Sequence, residues 1–472
     1  MQTLQIMKFG GSSVADAARI INVAEIIAKN SKGQLVVVVS AMQGVTDMLV
    51  EAFDAASSGD ITVVTQGVEA IRLRHDAAID ALSLDSKDAE RLRAAVTKLG
   101  TALEKDLKAV HVSKSYDKQD YDRIVSYGER LSILLVAAAL MARRVTAEAV
   151  EASELIVTNN RFGDAEPILE ASTKKASERL KPILKKGIVP VVTGFIGATV
   201  GGKLTTLGRG GSDYTSTILA YCLDAQEVII WTDVTGVMTA DPRVISDAQT
   251  ISELSYEEAG ELSFYGAKVL HPLTMLPASQ KNIPIYIKNT FDPTAKGTRI
   301  VPHRLRVTGV VKAVTTLNGL SMITVRGTGS SAPLYVAKII EGLLQRNIDI
   351  LVLLQSSSDH NTVLMVRSYV AEEAASCIAK ILVGKSTTDS GDNIHIEPDV
   401  SMVAVVGDGI HATRGLAADV FSSLAVSGVE AMAIAYGSSK HNLTFAIKTA
   451  DAHNAVRSLH QAFQLVEGGT GE

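Results

Sequence analysis

Runs of consecutive branched apolar residues are the feature that most restricts the fold of this chain. The run at 35–40 reads Leu-Val-Val-Val-Val-Ser, and residues 188–193 and 228–232 have the same character. A strand without alternating polar positions is buried on both faces, which is typical of parallel sheets covered by helices. Segments with helical patterning separate these runs, among them the charged stretch 69–110. The first 300 residues therefore predict an α/β domain with a mostly parallel sheet and helices on both faces.

Proline spacing and an internal repeat divide the chain. Pro167 is the first proline, and five prolines then fall between residues 272 and 302. Because proline interrupts helices and central strands, we place the first domain at 1–300 and a linker at 301–309. Beyond the linker, Ser321-Met-Ile-Thr-Val-Arg-Gly-Thr-Gly329 recurs as Ser401-Met-Val-Ala-Val-Val-Gly-Asp-Gly409. Two copies are too few for a solenoid. They predict two related α+β modules at 310–390 and 391–472, whose C-terminal strand can return to the first module.

Composition argues against several classes of protein. The formal net charge is −5 and aromatic residues make up 4%, whereas nucleic-acid binders normally carry a basic excess and aromatic stacking surfaces. Cys222 and Cys377 are far apart, which argues against a disulfide scaffold or a cysteine zinc site. No apolar run approaches the ~18 residues that a membrane-spanning helix needs. We expect a cytoplasmic protein without nucleic-acid or membrane partners.

A lysine and a double glycine stand where the first predicted strand, residues 5–9, ends. The sequence is Lys8-Phe-Gly-Gly-Ser-Ser-Val14, and a helix is predicted to follow to about Asn30. Backbone N–H groups at such a turn can bind a phosphate, and the Lys8 ammonium adds a full positive charge. The turn matches neither the P-loop nor the dinucleotide-binding pattern. A tight strand–helix turn without a ligand is the alternative interpretation.

A second glycine-rich turn, Gly208-Arg-Gly-Gly-Ser-Asp213, lies between a predicted strand at 204–207 and a predicted helix at 214–223. Ser212 or Asp213 is expected to cap the N-terminus of that helix. Arg209, placed between glycines, is accessible and suits bidentate binding of a carboxylate or a phosphate. The alternative is a capped turn with a solvated arginine.

Three further polar segments follow predicted strands or begin helices: Ser126-Tyr-Gly-Glu-Arg-Leu-Ser132, Ser40-Ala-Met-Gln-Gly-Val-Thr46, and Trp231-Thr-Asp-Val-Thr-Gly236 with Asp241-Pro-Arg243. The carboxyl ends of strands are where open α/β sheets bind ligands. Phosphoryl transfer needs concentrated positive charge and accurate positioning more than covalent chemistry. Lys8 and Arg209 supply that charge, and Glu129 supplies an acid at a helix start.

Seven segments match the motifs of one enzyme family: KFGGSSV at 8–14, SYGERLS at 126–132, TGFIG at 193–197, LGRGGSDYT at 207–215, WTDVTGVMTADPR at 231–243, FYGAKVLHP at 264–272 and NTFDP at 289–293. In these segments the chain resembles the aspartate kinases of the amino-acid kinase family, and its repeat is similar to their paired ACT regulatory domains. The resemblance implies transfer of a phosphoryl group from ATP, with Mg²⁺, to the side-chain carboxylate of L-aspartate. The product is 4-phospho-L-aspartate, the first intermediate toward lysine, threonine and methionine.

The resemblance also implies roles for individual residues. Of the expected catalytic residues, Lys8 contacts the transferring phosphate, Arg209 pairs with an aspartate carboxylate and Asp213 orients the site. The expected substrate-binding residues are Ser40, Thr46, Glu129, Arg209 and Ser212, with Glu129 holding the ammonium. The expected nucleotide-binding residues are Lys8, Gly10, Gly11, Ser12, Thr232, Asp233, Arg243 and Lys268. No side-chain ligand for the metal is assigned.

Regulation by an amino-acid effector, threonine or lysine, is a further implication of the resemblance. The expected effector contacts are Ile350, Gln355, Ser356 and Asn361. A glutamine in this turn is associated with threonine-sensitive members, and Tyr436 stands at the corresponding position of the second copy. The two copies are therefore not expected to be equivalent. ACT modules associate through their sheet edges, so we expect a homodimer or a homotetramer.

Two other functions stay open on the sequence. One is a different small-molecule kinase of the same fold, acting on glutamate, carbamate or a nucleotide, because fold alone does not determine the substrate. The other is an amino-acid sensor that has lost turnover. The presence of Lys8, Glu129, Arg209 and Asp213 in one chain argues against the sensor.

Overall fold

The computed structural model divides the chain into two compact units. It describes residues 3–30, 33–114, 116–267, 270–302, 310–326, 332–356, 361–382, 394–437 and 439–465. The first unit is Met1–Val237, Thr250–Gly260 and Val269–Leu305, and the second is Met238–Gln249, Glu261–Lys268 and Arg306–Glu472. The sequence predicted one boundary near residue 300. The structure differs because two earlier segments belong to the second unit, where Ala240 and Ile245 are buried in its core.

A mostly parallel sheet of eight strands forms the frame of the first unit. Its order is β3 (Ala147–Val150), β5 (Val189–Thr193), β2 (Gln34–Val39), β1 (Leu4–Phe9), β8 (Glu227–Thr232), β10 (Ile285–Asn289), β11 (Thr298–Val301) and β9 (Glu253–Ser255). Neighbouring strands are parallel except for the antiparallel pair β10 and β11. Four of the five strands predicted for this unit are β1, β2, β5 and β8 of this sheet, and β5 is buried along its whole length. The predicted α/β architecture is confirmed.

Three short strands form a separate sheet in the same unit: β4 (Val157–Thr158), β6 (Ile196–Thr199) and β7 (Leu204–Thr206). The helices that begin in this unit are α1 (Ala17–Asn30), α2 (Val45–Ser58), α3 (Ile61–Ala81), α4 (Ser86–Ser113), α5 (Lys118–Val125), α6 (Tyr127–Ala142), α7 (Leu169–Lys185), α8 (Gly211–Leu223), α9 (Tyr256–Phe264) and α10 (Pro272–Gln280). The charged stretch predicted at 69–110 is the helix pair α3 and α4. These helices bury one apolar face each and leave their charges in solvent.

Helix α6 is apolar on all sides because it is enclosed by the core of the first unit. The stretch Lys118–Ala142, which contains α5 and α6, is long and apolar enough by composition to cross a membrane. However, 83% of its most apolar window is buried inside the structure. Such burial is typical of a helix in the core of a folded domain.

An antiparallel sheet of six strands forms the second unit. Its order is β13 (Val352–Gln355), β14 (Thr362–Arg367), β12 (Ala313–Val325), β15 (Ile394–Val406), β17 (Asn442–Lys448) and β16 (Ala433–Tyr436). Four helices are described with it: α11 (Ala332–Leu344), α12 (Ala371–Leu382), α13 (Leu416–Val426) and α14 (Ala452–Ala462). Each sequence repeat therefore supplies two helices and three strands.

The two modules share their long central strands. Val314, in the first half of β12, is buried in one apolar cluster with α13 and α14 of the second repeat. Ile323, in the second half of β12, is buried in another cluster with α11, α12 and the start of β15. The first half of β12 therefore completes the second module, and the start of β15 completes the first. The sequence placed any returning strand at the C-terminus, but the last described helix is α14, and residues 466–472 lie outside the described residues.

Truncating one residue in each half of β12 tests this sharing. We expect Val314→Ala to lower the amide hydrogen-exchange protection of α13 and α14 more than that of α12, because it leaves a cavity in the second module. Ile323→Ala is expected to do the reverse, with a loss of about 2–5 kcal/mol of local stability. Hydrogen exchange monitored by mass spectrometry measures both. Equal loss in both modules from either substitution would contradict the division of the core.

Candidate active site

The parallel pairing of β1 with β2 and β8 brings three polar segments to one edge of the sheet. Phe9 is in register with Val39 on one side and with Trp231 on the other. The residues that follow these three, Gly10, Ser40 and Thr232, therefore lie at the same level of the sheet. Ligands of open α/β sheets bind at this carboxyl edge.

Lys8 forms an ion pair with Asp213 at this edge. The Lys8 Nζ atom lies 2.6 Å from Asp213 Oδ1, and the two side chains are only 10% and 18% exposed. Lys8 is on β1, while Asp213 is in the first turn of α8. Gly10 leaves space beside the ammonium, because a Cβ at that position would lie 3.5 Å from Nζ.

The turn before α8 presents Arg209 between two glycines in the left-handed conformation. Gly208 has φ of +69° and Gly210 has φ of +72°, a region that favours glycine. Arg209 itself is exposed and forms no ion pair within the described part of the chain. The turn therefore exposes the Arg209 guanidinium to solvent, where it can bind the anionic group of a ligand.

The predicted cap of this helix is wrong. We expected Ser212 or Asp213 to cap a helix beginning at residue 214, but α8 begins at Gly211 and its N-cap is Gly210, without a side-chain cap bond. The backbone turns earlier because Gly210 can adopt positive φ. As a result, Ser212 and Asp213 lie inside the first helical turn and line the cleft beside Lys8.

Glu129 is buried, and one of its carboxylate oxygens has no hydrogen-bond partner in the part of the chain that the structure describes. The side chain belongs to the first turn of α6, and the residue is 4% exposed. Its Oε1 accepts a hydrogen bond from the backbone N–H of Ala41 at 3.1 Å, whereas Oε2 has no hydrogen-bond partner among the described residues. Burial raises the pKa of Glu129 to about 8. A cationic ligand group would satisfy Oε2 and favour ionisation.

These groups line one cleft of about 430 Å³. The predicted site residues that line it are Lys8, Gly11, Ser40, Thr46, Glu129, Arg209, Ser212 and Asp213. The lining residues that sequence reasoning did not assign include Ala41, Met42, Gln43, Gly44, Asp47 and Phe195. Phe195 carried a signal in the TGFIG motif. It has φ of +68°, and its N–H donates to Thr215 Oγ1, which presents the ring beside the turn 208–211.

Four other residues predicted to bind the nucleotide do not line this cleft: Gly10, Ser12, Thr232 and Asp233. Gly10 donates its N–H to the carbonyl of Trp231, which places it beside the end of β8. The hydroxyl of Thr232 donates to Asp233 Oδ1 at 3.2 Å, and the Ser12 carbonyl accepts from Arg19. Thr232, Asp233 and Gly10 thus continue the same sheet edge next to Lys8.

Two further residues predicted to bind the nucleotide are Arg243 and Lys268. Arg243 belongs to the second unit, where it is 81% exposed and pairs with Asp241 at 2.6 Å. Lys268 lies outside the described residues.

The predicted effector residues lie in the first module. Gln355 ends the edge strand β13, Ile350 precedes it, and the Ser356 N–H donates to the Asn361 carbonyl at 2.9 Å. Residues 357–360 lie outside the described residues. In the second module, Tyr436 stacks on His411 with ring centroids 4.2 Å apart. Gln355 and Tyr436 end the strands β13 and β16, and the expectation that the two copies are not equivalent effector sites stays a prediction.

Comparison with known proteins agrees with this geometry. A family model described as the amino acid kinase family matches residues 3–289, and an ACT domain model matches residues 403–463. Lysine-sensitive aspartokinase 3 of Escherichia coli is 33% identical, with 98% of this chain and 99% of that protein covered. The chain belongs to the aspartokinases of the amino acid kinase family.

Solved aspartokinase structures share the whole fold. Escherichia coli aspartokinase III in complex with aspartate and ADP has a TM-score of 0.82 at 30% identity, covering 98% of this chain and 100% of that one. The same enzyme in complex with lysine and aspartate has a TM-score of 0.80. A bifunctional aspartokinase/homoserine dehydrogenase of Arabidopsis thaliana is 31% identical, and the chain spans 50% of its length.

The buried carboxyl group of Glu129 should make stability fall with rising pH. Its pKa is raised from the ordinary 4.5 to about 8 in the folded protein. Between those values the folded protein keeps a proton that the unfolded chain releases, so the free energy of unfolding decreases as pH rises. Glu129→Gln lacks this titration, so the melting temperature of the variant minus that of the wild type should increase from pH 5 to pH 8.5. A difference in melting temperature that is constant over this range would contradict the raised pKa.

Proposed function

We propose that the chain transfers the γ-phosphoryl group of ATP to the side-chain carboxylate of L-aspartate, giving 4-phospho-L-aspartate. The observation that carries the proposal is one cleft that holds an exposed Arg209, an unpartnered buried oxygen of Glu129 and the Lys8–Asp213 pair. A related enzyme of known structure binds aspartate and ADP. Feedback by an amino acid through the ACT modules is part of the same proposal.

The charges of the cleft fit the two ends of an amino acid. The Glu129 carboxylate would hold the ammonium, and the Arg209 guanidinium would hold a carboxylate through two parallel hydrogen bonds. Hydroxyl groups of Ser40, Thr46 and Ser212 would bind the remaining oxygens. The substrate's second carboxylate is then directed to the side of the cleft where Lys8 lies.

The chemical obstacle is repulsion between two anions. The attacking carboxylate is already ionised, so no strong general base is needed, but it must approach the negative phosphates of ATP. Lys8 would stabilise negative charge on the transferring phosphate, and Asp213 would orient the ammonium group of Lys8. The nucleotide would extend along Gly10, Gly11 and Ser12 toward Thr232 and Asp233. Nucleotide contacts from Arg243 and Lys268 stay predictions of the family resemblance.

Magnesium fits this site as a partner of the nucleotide. The described residues contain no group of three His, Cys, Asp or Glu side chains that could form a metal cage. Mg²⁺ commonly binds through substrate phosphates and water with one or two carboxylates. When bound, it would neutralise phosphate charge that Lys8 alone cannot offset.

The effector and the assembly belong to the ACT modules. We propose that threonine or lysine binds near Ile350, Gln355, Ser356 and Asn361; the lysine-bound aspartokinase III is one precedent. The outer strands β13 and β16 leave sheet edges available for pairing between chains. On β16, Ile434 and Tyr436 are each 45% exposed. These edges support a homodimer or a homotetramer.

Acceptor choice separates the proposed reaction from its alternatives. With ATP, Mg²⁺ and hydroxylamine, we expect aspartate-dependent hydroxamate, and we expect Lys8→Ala to lower kcat by at least about a hundredfold. Glutamate, carbamate and buffer alone are the parallel acceptors, and threonine and lysine are the parallel effectors. Product with glutamate and none with aspartate would overturn the substrate assignment. Amino-acid binding by calorimetry, with no product from any acceptor, would establish a sensor.

The pH dependence of the Michaelis constant tests the role of Glu129. Since the free carboxyl group has a pKa of about 8 and the ammonium binds its ionised form, the KM for aspartate should fall as pH rises from 6 to 8.5. The decrease is expected to approach about tenfold per pH unit well below the pKa. In Glu129→Gln, the KM should be high and independent of pH, while the KM for ATP serves as the internal control. A KM for aspartate that does not vary with pH in the wild type would remove Glu129 from ammonium binding.

A further inference from the structure

A buried carboxylate outside the cleft connects the segments that carry Arg209 and Glu129. Asp122, on α5, is fully buried. Its Oδ2 accepts hydrogen bonds from the backbone N–H groups of Gly163 at 2.9 Å and Thr206 at 3.0 Å. Its Oδ1 accepts from the hydroxyl of Thr206 at 2.7 Å. Burial raises the pKa of Asp122, and the three donors oppose that rise.

On one side, Asp122 holds the strand that leads into the arginine turn. Thr206 is the last residue of β7, and only Leu207 and Gly208 separate it from Arg209. Both backbone polar groups of Thr206 are hydrogen-bonded. Its N–H donates to Asp122, and its carbonyl accepts from the Ala165 N–H at 2.8 Å.

The loop containing Gly163 supports the same turn. A Cβ at position 208 would lie 2.4 Å from Asp164 Oδ1, so this loop packs directly against Gly208. Asp122 therefore fixes both the strand before the arginine turn and the loop beside it.

On the other side, Asp122 belongs to the helical segment that leads to Glu129. Helix α5 ends at Val125, and α6 begins at Tyr127 with Glu129 in its first turn. The Ser126 N–H donates to the Asp122 carbonyl at 3.2 Å, which makes the junction part of the same hydrogen-bonded unit. Asp122 does not line the cleft. It connects the residue proposed for the carboxylate with the residue proposed for the ammonium.

We propose that Asp122 is a positioning residue that sets the separation between Arg209 and Glu129, and thereby the length of amino acid that the cleft accepts. The proposal rests on the proposed function, because it assigns the two ends of the substrate to these two side chains. It predicts that loss of the Asp122 bonds affects aspartate recognition and leaves nucleotide recognition intact.

Substitution by asparagine should preserve the connection. The amide oxygen can take the place of Oδ2 and accept from both backbone N–H groups, while the amide NH₂ donates to Thr206 Oγ1, whose hydroxyl becomes the acceptor. Alanine removes all three acceptor contacts and leaves buried donors unsatisfied.

The experiment compares Asp122→Ala, Asp122→Asn and the wild type in the hydroxamate assay, with aspartate and glutamate as acceptors. For Asp122→Ala we expect the KM for aspartate to rise about tenfold or more. The KM for ATP should stay within about twofold, and the ratio of kcat/KM for aspartate over glutamate should fall by about tenfold. Asp122→Asn should restore both values to within about threefold of the wild type.

A matched control is Glu258→Ala, which removes another fully buried carboxylate of the same unit. Glu258 accepts from the Ser255 N–H at 2.8 Å and does not line the cleft. It should lower the melting temperature without changing acceptor selectivity. The proposal is overturned if Asp122→Ala lowers the melting temperature but leaves the KM for aspartate and the acceptor ratio unchanged, or if both Michaelis constants rise equally.

A second pair of variants keeps the test decisive if Asp122→Ala does not fold. Thr206→Val removes one donor to Asp122 and should raise the KM for aspartate about threefold to tenfold, whereas Thr206→Ser should match the wild type. An unchanged KM in a folded Thr206→Val protein also counts against the proposal. If the wild type forms no aspartate-dependent product, the proposed function itself fails, and this inference fails with it.

Discussion

The ion pair between Lys8 and Asp213 is the contact on which the geometry of the cleft depends. A buried ammonium costs several kcal/mol unless a charge of opposite sign lies beside it. Lys8 is on the central strand β1, and Asp213 comes from the start of α8, far away in sequence. Their 2.6 Å contact therefore fixes the N-terminus of α8 against the middle of the sheet. The turn 208–211, which immediately precedes α8, is then held at the carboxyl edge of the strands.

Two other ionisable groups of the cleft, Arg209 and Glu129, can each gain a partner when a ligand binds. Lys8 already has a partner, so under the proposed function a phosphate would share the Lys8 ammonium with Asp213. Arg209 has no ion-pair partner within the described part of the chain, and Glu129 Oε2 has no hydrogen bond there. Burial of the Glu129 carboxyl group raises its pKa to about 8. Below that pH the carboxyl group is largely protonated in the free protein, so a ligand ammonium that binds its ionised form must offset the cost of ionising a buried group.

The sequence predicted the frame of the first unit well because its signals are local. Branched apolar runs marked β2, β5 and β8, and the motifs marked eight residues that line one cleft. Gly11 and Ser40 reach the cleft because the parallel strands β1 and β2 end at a common edge. The cap of α8 was missed because it depends on the positive φ of Gly210. Phe195 and Asp122 were missed for a different reason. Their importance comes from contacts with residues distant in sequence. Phe195 lies in the TGFIG motif, which by itself gave it no role, and Asp122 has no local pattern that marks it.

The division between the two units follows the same logic of distant contacts. The motif at 231–243 reads as one continuous segment, yet the residues after Val237 belong to the second unit. Thr239 shows why, because its carbonyl accepts from the Val314 N–H and its hydroxyl lies 3.0 Å from His460 Nε2. Burial lowers the pKa of His460 and favours the neutral ring, which can accept the threonine proton. One motif therefore serves two cores, and the polypeptide between Thr232 and Thr239 is a direct covalent connection from the sheet edge of the first unit to the core of the second.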